Sequence, residues 1–197
     1  MSVTLLQQYL PEHTLPYLKK WFGQHAIHIH ITKNRESKLG DYRKKKDGSH
    51  MITLNSTLKP ELFFFVLTHE LAHLIAFHDY GYRIAPHGKE WKKVVGSMIL
   101  DSLSIYTTEL QQILIRFSKN PKANFMASTD LVRYFHKDEN NGKQVFIESI
   151  TIGEVFLYQN QRYEYNEKRK KNYLCTHLNT GKKYVFKPIV QVERLRD

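Results

Sequence analysis

Cysteine is almost absent. Cys175 stands alone among 197 residues, which excludes an internal disulfide and a metal site built on paired thiolates. Long apolar runs are absent too: the longest, Leu62–Leu67, is far too short to span a bilayer, so no membrane association is expected. The first residues, MSVTLLQQYLPEH, lack a basic region followed by an apolar core, so no secretory signal is expected. These absences predict a reducing, cytoplasmic setting, nucleoid-associated in a bacterium or nuclear in a eukaryote. Acidic residues are few. Nineteen Asp and Glu face 30 Lys and Arg, for a net charge of +11, and a surface of that sign draws polyanions, with nucleic acid the leading candidate. No internal repeat or low-complexity tract is present, and 41% hydrophobic residues suffice for a true core.

The pattern along the chain predicts an α+β protein. Apolar residues recur at helical spacing in Val3–Leu10 and Leu15–Phe22, with Thr14 as a helix cap and Pro16 in the first turn. AIHIHIT then alternates strictly, as a half-buried strand does, with His28 and His30 on its polar face. Residues 38–55 read as a β-excursion turning at Asp47-Gly48 and returning through HMITLN. Pro60-Glu61 suits a helix start, and from Leu62 to Phe77 the helix is apolar nearly all round, as in the middle of a domain. Further helices follow Trp91. The polar, turn-rich 137–144 is the expected linker between a domain over 1–136 and a small basic module over 145–197. That module has several short β-rich runs and is expected to be β-barrel-like, with Cys175 a buried small hydrophobe.

The stretch THELAHLIAFHDYGYRIAPHGKEW, Thr68–Trp91, carries the chemistry. His69 and His73, four apart on a helix, share a face and can converge on one ion. Catalytic zinc accepts imidazole nitrogen and keeps three protein ligands plus a position for water, which Glu70 can reach as general base. The bland alternative is a set of core polar residues satisfied by hydrogen bonds, but inside an apolar helix two histidines and a glutamate are costly without partners. Four residues compete as third ligand. His78, five after His73, lies about 140° further round the helix and faces away. Asp79 would need a tight return where Ala76 stands in place of a glycine. Glu90 would have to project from the facing side of the next helix. His87 follows Pro86, which fixes the approach, and precedes Gly88, which permits close packing. The residues alone leave Asp79 and Glu90 open beside His87.

HELAH…PHGKEW resembles the SprT-like, or Spartan-type, zinc metallopeptidases, whose signature is His-Glu-x-x-His followed by a His-Gly-x-x-aromatic block. The upstream order is similar as well: an N-terminal helix, strand IHIHI, a strand containing Gly40, then ITLN before the metal helix. The resemblance covers about residues 5–115. It implies a zincin-like fold, Zn2+ on His69, His73 and His87, Glu70 as catalytic base, and Trp91 packed beneath the third ligand. Asp79 then becomes a surface or capping residue and Glu90 a solvated one. The best understood members cleave proteins on DNA, including covalent DNA–protein crosslinks, so the resemblance implies a hydrolase of protein substrates in DNA repair. Many relatives carry a cysteine-paired zinc ribbon after the metal domain. Cys175 alone cannot form one, so DNA binding needs another basis here.

Two basic patches could supply it. Lys44, Lys45 and Lys46 cluster in the β-excursion. In the tail Lys168, Arg169, Lys170 and Lys171 interleave with Tyr163, Tyr165, Tyr173, Tyr184 and Phe186, aromatics that stack on bases when exposed or fill a core when not. Tyr80, Tyr82 and Arg83, between the metal motifs, are candidate oxyanion stabilisers. Two rival functions stand beside the peptidase: a non-catalytic nucleic-acid-binding adaptor with a structural zinc, and a zinc peptidase unrelated to DNA. Glu70 discriminates the first, since an adaptor has no use for a residue that is not a ligand.

Overall fold

Three strands and one buried helix frame the first part of the chain. β1 (Ile27–Thr32) pairs in parallel with β3 (His50–Asn55), and β2 (Gly40–Lys44) pairs antiparallel with β3, so the order is β1-β3-β2 with β2 at an edge. The β2–β3 turn falls where Asp47-Gly48 predicts it: Gly48 has φ 84°, and Asp47 Oδ1 accepts from the Ser49 N–H at 2.9 Å. The computed structural model describes residues 3–23, 25–33, 35, 38–136 and 144–195, and divides the chain into two compact units, Met1–Phe125 and Met126–Asp197.

In the first unit a 3-10 helix (Val3–Tyr9) and α1 (Leu15–Phe22) precede the sheet, and α2 (Pro60–Tyr80) follows it. Proline at the first turn and Glu61 beside it start α2 as expected. An 18-residue window of α2 has hydropathy 1.3, enough for a membrane span by length and composition, yet 72% of it is buried within the protein. α2 is therefore the core helix that the all-round apolar pattern predicts. α3 (Lys89–Asp101) and α4 (Thr108–Ser118) pack after it. Two polar ties hold these helices in register: Lys20 to Asp101 at 2.8 Å, and the Thr107 N–H to Glu61 Oε1 at 2.8 Å.

The second unit begins with α5 (Thr129–Phe135), whose Arg133 forks onto Glu148 at 2.9 and 2.7 Å. Of the expected linker 137–144, all but Gln144 lies outside the described residues. Six antiparallel strands follow: β4 (Gln144–Phe146), β5 (Val155–Tyr158), β6 (Gln161–Arg169), β7 (Asn172–His177), β8 (Lys183–Phe186) and β9 (Gln191–Arg194). Their order is β4-β9-β5-β6-β7-β8. The expected barrel-like closure is corrected to an open sheet. β4 has three residues and β8 exposes Lys183, Tyr184 and Val185, so among the described residues these two strands are edges without a common ladder. A bulge between Tyr165 and Glu167 shifts the β6–β7 register.

Candidate metal centre

α2 carries two imidazoles and a carboxyl into the core one helical turn apart. His69, Glu70 and His73 are 8%, 8% and 7% exposed. The third imidazole, His87, is exposed and comes from the connection between α2 and α3. Gly81 ends α2 by donating its N–H to the Phe77 carbonyl at 3.0 Å, and a turn closed by Gly88 N–H to the Ala85 carbonyl at 2.9 Å delivers His87. The ligand nitrogens of His69, His73 and His87 lie within 4.8 Å of one another, and among the described residues no other group of three or more His, Cys, Asp or Glu is so arranged. Nitrogens bonded to one tetrahedral zinc at about 2.0–2.1 Å stand roughly 3.3 Å apart, so small ring rotations complete the fit. Asp79 instead meets His78 at 2.9 Å, and Glu90 lies 4.0 Å from Lys89. The side chain that joins the helical pair is His87.

The donor chemistry fits a metal ion. Burial, then mutual repulsion among the three rings, pushes His69 down to about 3. Burial and then His87 push His73 down to about 4, and burial lowers His87. All three rings are thus neutral near pH 7 with lone pairs to offer. The Pro86 carbonyl near the His73 ring pulls weakly the other way. Trp91, fully buried, packs on all three rings at 4.7, 5.4 and 4.8 Å between centroids.

Glu70 lies against the edge strand at Gly40. Burial first, and then the Asp41 carboxylate, pushes its carboxyl up to about 8, while Lys38, Arg35 and the Tyr42 main-chain N–H pull the other way. A dication in the triad would lower it again. Gly40 makes the approach of β2 feasible: a Cβ there would stand 2.6 Å from Val66 Cγ1 and 2.8 Å from Glu70 Oε1. Asn55, fully buried, organises the chain leading into β2. Its amide donates to the Arg35 and Lys38 carbonyls at 3.1 and 3.0 Å, and its oxygen accepts from Arg35 Nε at 3.0 Å.

Tyr42 and Asn55 are the residues that sequence reasoning missed. Tyr42 stacks on His73 (5.9 Å, 10°) and Phe77 (6.0 Å, 28°), and its hydroxyl pairs with His50 Nδ1 at 2.9 Å. Burial, then Tyr82, pushes its phenol up to about 12. The alternation of β2 held the signal, because residues 40, 42 and 44 share a face. Of the oxyanion candidates, Tyr80 is exposed at the end of α2 and Arg83 is exposed in the connection, whereas Tyr82 stacks on Phe77 (5.7 Å) with Lys44 Nζ 3.6 Å from its ring centre.

The basic candidates separate. Lys44 is engaged with Tyr82, and Lys45 and Lys46 flank the hairpin turn. In the tail Lys168 lies 5.6 Å over Tyr173, Arg169 pairs with Glu167 at 2.7 Å, and Lys170 (φ 53°) and Lys171 form the β6–β7 turn. The interleaved aromatics are mostly interior: Tyr163, Tyr165, Tyr173 and Phe186 join Cys175 in the core of the sheet, leaving Tyr184 exposed at 43%. Base stacking along that row is unavailable, because alternate residues of β6 and β7 turn into the core. A further basic groove, not foreseen, runs between α3 and α4 and is lined by Lys89, Lys92, Lys93 and Lys119.

Comparison with known proteins identifies a family. The SprT-like family model matches residues 8–109, which hold the sheet, α2, the triad and α3. Relatives named Protein SprT, from Escherichia coli and Escherichia fergusonii, are 43% identical over 49 residues, covering 24% of this chain. The matched stretch spans 29% of the length of those relatives. No solved structure matches. With the family model spanning more than half of the chain and the histidine triad inside it, the protein belongs to the SprT-like family.

Proposed function

We propose that the protein is a zinc-dependent metalloendopeptidase of zincin-like fold, cutting protein substrates in the company of DNA. One observation carries the reading: three imidazoles converge at α2 beside a buried carboxyl, Glu70, that lies outside the triad and against Gly40 of β2. His69, His73 and His87 would hold the ion. Zinc bound there would act as a Lewis acid toward a peptide carbonyl and acidify a water. Glu70 takes the proton of the attacking water on its carboxylate and passes it to the departing amine, so its position sets the rate. The close packing of β2 at Gly40 keeps the carboxylate in place between the two transfers, and the buried setting excludes bulk water from it.

The adaptor alternative requires an ion but no base. Burying Glu70 at 8% exposure, with its carboxyl pushed up to about 8, costs stability that an adaptor recovers nowhere. Association with nucleic acid is supported by the charge of +11, by Lys45 and Lys46 at the hairpin, and by the lysine groove between α3 and α4. A reducing, cytoplasmic setting belongs to the same proposal.

The test combines metal analysis with protease assays of wild type and Glu70→Gln, with and without single-stranded DNA. Zinc at one equivalent and cleavage lost only in Glu70→Gln support the proposal. Zinc retained with no Glu70-dependent cleavage of any protein overturns it in favour of the adaptor. DNA binding that is absent at every salt concentration removes the DNA component and leaves the peptidase.

A further inference from the structure

Of the three imidazoles, His87 alone is exposed and alone comes from outside α2. Residues 81–88 nevertheless bring the His87 ring to the centre, 4.6 Å from the His73 ring and 4.8 Å from Trp91 between centroids. Something must hold this segment, since an unrestrained loop would spend much of its time with His87 turned away. Besides His87 itself, Tyr82 anchors the segment by its side chain. That ring stacks on Phe77 at 5.7 Å and 28°, and its other attachment is the Lys44 ammonium, 3.6 Å from the ring centre. Such a separation is well within cation–π range, although Tyr82 is 57% exposed.

The partner strand makes this contact specific. β2 places Gly40 against Glu70, Tyr42 against His73 and Lys44 against Tyr82, every second residue on one face. One edge strand therefore touches the candidate base, the second ligand and the loop of the third. The rings of Trp91, His73, Tyr42, Phe77 and Tyr82 are joined pairwise from the core to the surface, and Lys44 closes the row.

We propose that Tyr82, clasped between Phe77 and Lys44, is a positioning residue that holds His87 in place for the metal ion. The inference rests on the histidine triad being a metal site. It assigns Lys44 to the architecture of the centre rather than to phosphate binding, and it assigns Tyr82 to loop order rather than to the oxyanion. The physical consequence is an affinity effect: when only a fraction of molecules present His87 correctly, the apparent dissociation constant rises by the inverse of that fraction.

The experiment titrates zinc into metal-free protein against a chromophoric chelator. Tyr82→Ala is expected to weaken binding about tenfold and Lys44→Gln about threefold, while Tyr82→Phe and Lys44→Arg bind like wild type. Tyr80→Ala, which removes an exposed ring at the end of α2, serves as the unaffected control. In a His87→Ala background, Tyr82→Ala is expected to cause no further loss, because the ligand it positions is gone. If Tyr82→Ala binds zinc like wild type, or loses as much with His87 absent as with it present, the clasp is refuted while the metal site stands. If wild type itself takes up no zinc, the metal reading fails and the clasp with it. Lys44→Gln leaves every ring in place, so it reports on the clasp even if Tyr82→Ala folds poorly.

Discussion

Replacing Gly40 by alanine separates the base from the metal. The added Cβ would lie 2.6 Å from Val66 Cγ1 and 2.8 Å from Glu70 Oε1, both inside any real carbon contact distance. Val66 is buried on α2 and cannot retreat, so β2 must shift outward or the Glu70 carboxyl must turn. Overpacking of this kind costs about 1–3 kcal/mol. A displacement of the base by about 1 Å costs on the order of a hundredfold in rate. Gly40→Ala should therefore melt earlier and lose most peptidase activity, yet bind zinc like wild type, since neither clash involves a histidine. Adding Val66→Ala removes the nearer clash, so the double variant should recover stability while activity stays low. The measurements are thermal melting, chelator-competition zinc titration and kcat on one protein substrate. Wild-type kcat in Gly40→Ala would show that Glu70 does not depend on the strand and would refute the reasoning.

His87→Ala should lower zinc affinity by at least tenfold, whereas Asp79→Ala and Glu90→Ala should leave it unchanged; the same titration decides, and zinc lost only in Asp79→Ala would reverse the ligand choice. In the metal-free protein His69 and His73 sit near 3 and 4 against 6.5 when unfolded, so the unfolded chain binds protons first and stability should fall as pH drops from about 6.5 toward 4, read from the melting temperature. Glu70 runs the other way: raised to about 8, it contributes stability below its unfolded value of 4.5 that is lost as pH rises through 8, so Glu70→Gln should melt higher than wild type at pH 9 and equally at pH 4 without metal. Changing Lys92, Lys93 and Lys119 together to glutamine should weaken binding of a single-stranded oligonucleotide and flatten its salt dependence, while cleavage of a DNA-free peptide persists; an unchanged slope would clear the groove of any role.

Periodicity, motif spacing and charge are local properties, and they were legible from one dimension. The apolar run after Pro60-Glu61 predicted a core helix, and the i, i+4 spacing put His69 and His73 on one face with Glu70 beside them. Asp47-Gly48 announced its turn for the same reason, because backbone preference resides in the residues themselves. The remainder depended on contacts between segments far apart in the chain. Nothing local distinguishes Tyr42 from any strand tyrosine until β2 lies along α2, and Asn55 reads as the end of a strand until its amide meets two distant carbonyls. Tail aromatics and lysines alternate identically whether the rings face bases or a core; the sheet turned most of them inward and left β4 and β8 as edges instead of closing. His87 lies between these cases. Its spacing made it one of several candidates, and a loop held by Tyr82, Lys44 and Phe77 brought it to the helical pair, because convergence of three nitrogens is a property of space rather than of sequence.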